Sequence, residues 1–116
     1  MGCNWKVYLV LSPNDATVTT ESPHGGYCKG VDQLLRGIEE HGSLFAAAKN
    51  LKMAYSHAWA MLKTVQRDLG MSLVESHGPH GSIVTEEGKR MIRLYEEAHE
   101  KINLAEKEWA KENSLA

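Results

Sequence analysis

At 116 residues the chain has the length of one domain with room for a modest core. Its hydrophobic share of 42% and charged share of 24% are ordinary for a soluble globular protein, and no apolar run reaches the roughly 18 residues that span a bilayer. A formal net charge of −2 weighs against a general affinity for nucleic acid, so the distribution of charge matters more than its sum.

Residues 7–11 are too few for a signal-peptide core and no small-residue cleavage site follows them. Met1-Gly2 is not followed by the Ser or Thr that myristoylation needs, because Lys6 stands there. Two cysteines, Cys3 and Cys28, make no disulfide framework. A cytoplasmic location is expected by elimination.

In chain order, residues 6–12 read as a strand rich in Val, Tyr and Leu, stopped by Ser12-Pro13-Asn14-Asp15. Residues 16–21 return as a second strand, making a hairpin. A first helix is expected over residues 30–41, with Val31, Leu34, Leu35 and Ile38 at helical spacing and Gly42 as its stop. Ser43 caps a second helix that carries Leu44, Ala47, Ala48 and Leu51 on one face. Lys52-Met53-Ala54 connects it tightly to a third helix over residues 55–69, where Ala58, Leu62, Val65 and Leu69 mark the buried stripe and Gly70 the end. Residues 72–76 and 82–84 read as two short strands around His77-Gly78-Pro79-His80-Gly81. Thr85 caps a last helix running to about Lys111, and Glu86 and Glu87 suit its positive end. On that helix Met91, Tyr95, Ala98, Ile102, Ala105 and Trp109 alternate steps of four and three, a heptad seam.

Helix, helix, tight turn, helix and two-stranded hairpin is the order of a winged helix-turn-helix. The expected fold is therefore α+β, mainly α, as one domain over residues 1–116. Within it, residues 1–29 give the N-terminal hairpin, 30–84 the helix-turn-helix and wing, and 85–116 a dimerisation helix. Such a fold needs small residues where the second helix crosses the third, here Ala47 and Ala48. Its third helix must bury one side and offer the other to a major groove about 12 Å wide. Tyr55, Ser56, His57, Ala60, Lys63 and Thr64 lie outside the buried stripe; their side chains can reach base edges or phosphates, and the small Ala60 lets the helix sit deep. Charge follows the same plan. Residues 43–69 hold four bases (Lys49, Lys52, Lys63, Arg67) against Asp68, a local +3, whereas residues 86–112 hold eight acids against six bases, a local −2.

The stretch Met53-Ala54-Tyr55-Ser56-His57-Ala58-Trp59-Ala60-Met61-Leu62 resembles the recognition helix of the ModE-type molybdate-responsive regulators, in which a Ser-Tyr-x-x-Ala-Trp pattern recurs; Ala54 replaces the first Ser here. Gly42-Ser43-Leu44-Phe45-Ala46-Ala47-Ala48 resembles the start of their second helix. Leu73-Val74-Glu75-Ser76, Val84-Thr85-Glu86-Glu87-Gly88 and Leu94-Tyr95 resemble their wing and the helix after it. Leu69-Gly70-Met71-Ser72-Leu73-Val74 is also similar to the end of the LysR-type DNA-reading head. The resemblance covers residues 30–95 and implies DNA contacts at Ser43, Tyr55, Ser56, His57 and the wing, here with His77 and His80. It implies no molybdate site in this chain, which does not include the C-terminal molybdate-binding domains. The wing residues 77–82 hold no Lys or Arg, unlike many of that family.

These readings make the expected partners double-stranded DNA and a second copy of the chain, through the seam from Met91 to Trp109, with no membrane and no cofactor. DNA contact is expected at Ser43, Lys49, Lys52, Tyr55, Ser56, His57, Lys63, Thr64, His77 and His80. Trp59 is expected to be a core anchor between helices. Ser43 serves as a cap and can also meet a phosphate, and Tyr55 can pack over the turn. Two alternatives stay open: a winged-helix adaptor for protein partners, and a metal-responsive regulator using His77, His80, His24 and Cys28, although no motif sets four of these at structural-site spacing. No P-loop, nucleophile elbow, His-Glu-x-x-His or paired-carboxylate pocket points to an enzyme.

Overall fold

The computed structural model describes residues 8–12, 15–19, 26–77 and 81–113. The elements are β1 (Tyr8–Ser12), β2 (Asp15–Thr19), α1 (Lys29–His41), α2 (Leu44–Asn50), α3 (Tyr55–Leu69), β3 (Val74–Ser76), β4 (Ser82–Val84) and α4 (Glu86–Glu112). The fold is mainly helical, a winged helix-turn-helix with an added N-terminal hairpin. β1 pairs antiparallel with β2, Tyr8 opposite Thr19 and Ser12 opposite Asp15. β3 pairs antiparallel with β4, Val74 opposite Val84 and Ser76 opposite Ser82.

Each helix ends where local chemistry stops it. Gly42 and Gly70 adopt left-handed conformations after α1 and α3. Ser43 and Thr85 accept the N–H groups of Ala46 and Gly88, capping α2 and α4 at 3.0 Å each. The turn between α2 and α3 is a Schellman motif: the Met53 N–H donates to the Ala48 carbonyl and the Lys52 N–H to that of Lys49. Lys52 occupies its left-handed position at φ 57° and is alone among the described non-glycine residues in having positive φ.

The core gathers Val31, Leu34, Leu35 and Ile38 of α1, Leu44, Ala47 and Ala48 of α2, and Ala58, Leu62, Val65 and Leu69 of α3. Leu73, Val84, Met91, Ile92 and Tyr95 close it from the wing and α4, and Leu9, Leu11 and Tyr27 from the N-terminal side. Ala47 approaches α1 tightly, because a Cβ placed on Gly37 would come within 2.8 Å of the Ala47 Cβ. α4 comes equally close to the wing at Gly88, where a Cβ would stand 2.5 Å from the Leu73 carbonyl oxygen and 2.6 Å from Val84. Tyr27 exchanges both backbone hydrogen bonds with Leu11 at 2.8 Å, so the hairpin is tied to the start of α1. Among the described residues no helix is long and apolar enough to cross a membrane.

The heptad seam of α4 divides near its middle. Met91 and Tyr95 are buried in the protomer's own core, with Ala98 and Ile102 packed partly against it. These first positions therefore have little surface left for a second chain. Ala105 and Trp109 lie in the exposed half, Trp109 at 58% exposure.

Candidate nucleic-acid interface

The sequence of α3 makes it two-sided. Ala58, Leu62, Val65 and Leu69 recur every three or four residues and are buried. Advancing 100° per residue, Ser56, Ala60, Lys63 and Arg67 run along the opposite side, and all four are exposed. Tyr55 and Trp59 flank that row on one edge, His57 and the half-buried Thr64 on the other. Arg67 was not among the expected contact residues, although its spacing of four from Lys63 puts it on the same row.

Trp59 is not the core anchor expected from its size. It is 47% exposed, because it follows Ala58 by one residue and is thereby turned about a quarter of the way round the helix from the buried stripe. Tyr55 is 51% exposed and does pack near the turn, its ring centroid 6.2 Å from that of Phe45 at the start of α2. Phe45 is itself 63% exposed. The start of α2 and the start of α3 thus present three aromatic rings to solvent.

Lys49 and Lys52 lie on α2 and the turn beside this surface, and both are exposed, as is Lys63. Among the described residues none of the three lies within ion-pair distance of a carboxylate, while Arg67 has Asp68 at 4.0 Å. The Ser43 hydroxyl accepts the Ala46 N–H, which leaves its own proton free to donate.

The wing is fixed to this surface from two directions. The Ser82 N–H donates to the Gly42 carbonyl at 3.0 Å, pinning β4 to the α1–α2 turn. The Gln66 side-chain Oε1 accepts the N–H groups of Leu73 and Val74 at 2.8 and 3.2 Å, pinning β3 to α3. Thr85 adds a hydroxyl bond to the Ser72 carbonyl at 2.7 Å. Gln66 was missed in the sequence, where nothing marks it as a partner of backbone seven and eight residues away. His77 is exposed and its Nε2 lies 3.6 Å from the Glu75 carboxylate, so its nearest charge is negative. His80, like His24, lies outside the described residues. Among the described residues no three His, Cys, Asp or Glu side chains gather into a group that could hold a metal.

Residues 33–89 match the family model of bacterial regulatory helix-turn-helix proteins of the lysR family. This winged helix-turn-helix segment is thus similar to the DNA-binding domains of that family. Such a domain is a regulatory module rather than a catalyst. The CbnR DBD–DNA complex, a solved crystal structure, has the same fold, with a TM-score of 0.54 at 23% identity over 75% of this chain and 95% of that one. No curated protein sequence matches the chain. The matched span of the winged domain runs from α1 through the wing to the first turn of α4, and so includes the whole exposed side of α3.

Proposed function

We propose that the protein is a homodimeric transcriptional regulator that lays α3 along the major groove of duplex DNA. The observation that carries this is the two-sidedness of α3: Ala58, Leu62, Val65 and Leu69 are buried while Ser56, Ala60 and Lys63 are exposed on the opposite side. Tyr55, Ser56, His57 and Thr64 read or orient the bases, and Lys63 positions the helix on a phosphate. Ser43, Lys49 and Lys52 hold phosphates, joined by Arg67 and by the wing at His77 and His80. The presence of DNA in the CbnR complex supports the same partner here. The finer likeness to molybdate-responsive regulators bears only on how the helix from Tyr55 is used, and no molybdate site is proposed.

The second copy docks on the outer half of α4. From Ile102, at the edge of the protomer's core, Ala105 and Trp109 continue the line of Met91 and Tyr95, and a tryptophan left in water there favours burial against a two-fold partner. Two recognition helices related by that symmetry meet half-sites about one turn of DNA, or a small multiple, apart.

Selection of bound duplexes from a random pool, followed by titration over a salt series, tests the reading. Sequence-preferring affinity should fall with salt at a log–log slope of roughly −0.9 per neutralised phosphate. Absence of binding at micromolar protein and low salt would instead favour the adaptor reading, to which the exposed rings of Phe45, Tyr55 and Trp59 lend themselves.

A further inference from the structure

The exposed side of α3 has an unusual chemistry for a base-reading surface. Between Tyr55 and Lys63 there is no Arg, Asn, Gln, Asp or Glu, so that paired hydrogen bonds to base edges could come from Lys63 alone. Gln66, the nearest side-chain amide along the helix, has its Oε1 committed to the Leu73 and Val74 N–H groups. Besides the polar Ser56 and His57, what the surface offers is largely apolar: Tyr55, Trp59 and Ala60 from α3, and Phe45 set beside Tyr55 from α2. Lys49, Lys52 and Lys63 frame it with charge that matches phosphate.

A major groove presents one apolar feature to such a surface, the C5-methyl group of thymine. We infer that this reading head chooses its sites chiefly by thymine methyl groups, packed against Ala60, Trp59, Tyr55 and Phe45, while the lysines supply affinity without sequence information. This deepens the proposed function and rests on it. The occupant is duplex DNA because the aromatic residues share α2 and α3 with the exposed Lys49 and Lys63, and α3 is the helix that the winged fold offers to a groove.

Replacing thymine by uracil in a bound duplex removes the methyl group and leaves every hydrogen-bonding atom in place. Each buried methyl lost should weaken binding about fourfold, and loss of two more than tenfold, with the salt slope unchanged. The variants Trp59→Ala and Phe45→Ala, both at exposed positions, should bind thymine and uracil duplexes with nearly equal affinity. Equal affinity of the wild-type protein for the two duplexes would overturn the inference and leave the proposed function standing. Failure to bind any duplex would remove both.

Discussion

Lys52 has a side chain where the backbone favours none. At φ 57° its Cβ crowds the following carbonyl, a strain of about 1–2 kcal/mol that glycine avoids. Lys52→Gly should therefore raise stability by up to about 1 kcal/mol, read as a higher urea midpoint, while weakening DNA binding through the lost charge. Lys63→Ala should leave the fold intact, because the residue is exposed. Its affinity should fall uniformly across DNA sequences, with the salt slope reduced by about one. Gln66→Ala should do the reverse. Leaving two N–H groups of the wing without their acceptor costs about 1–3 kcal/mol, visible in thermal unfolding. Trp59 marks the limit of reading at this scale: a large aromatic one step from a buried alanine fits a core or a surface equally well until the helix's neighbours are known.

The helices were legible because their ends are chemically marked. Ser43 and Thr85 begin α2 and α4, and Gly42 and Gly70 end α1 and α3, as expected from the residues alone. The first strand of the wing is shorter than expected, Val74–Ser76 instead of residues 72–76. Leu73 gives its N–H to Gln66 and its carbonyl to the Thr85 N–H, so it joins the wing to α3 and α4. Nor could the sequence disclose what joins the N-terminal hairpin, α1 and α4. The Tyr27 hydroxyl donates to the buried Asp32 at 2.8 Å, and Arg36 bridges Asp32 at 2.8 Å and Glu96 at 3.4 Å, across 60 positions of sequence. Burial, with the Asp32 carboxylate adding to it, drives the Tyr27 phenol far above its ordinary range. An acid whose folded-state pKa is raised stabilises the fold below its unfolded value, and that contribution fades as pH climbs above it. Stability should therefore decline above a pH of about 10. Tyr27→Phe should flatten much of that decline, leaving the part due to Tyr95, which burial also raises. At neutral pH the same variant should lose about 1–3 kcal/mol, because Asp32 keeps a buried oxygen with no donor. Chemical denaturation at a series of pH values measures both effects.

On the scale of the molecule, α4 gives the protein its long axis: the fold extends 55 × 30 × 22 Å, and the 27-residue helix accounts for about 40 Å of it. Its seam was readable as a heptad pattern, but not the point at which the pattern leaves the protomer's own core, because that depends on where the rest of the domain ends. A Trp109→Asp variant should remain folded, since the residue is exposed, yet sediment as a monomer. Its affinity should drop more on a duplex with two half-sites than on one with a single half-site. Unchanged sedimentation would remove α4 as the dimer contact without touching α3. Whether α3 meets DNA is the central matter, and amide chemical-shift mapping of the labelled protein titrated with a selected duplex addresses it most directly. Perturbations are expected to concentrate at Ser43 to Ala46, at Lys49 and Lys52, and from Tyr55 to Lys63. Perturbations confined to α4 or the N-terminal strands, with α3 silent, would contradict it.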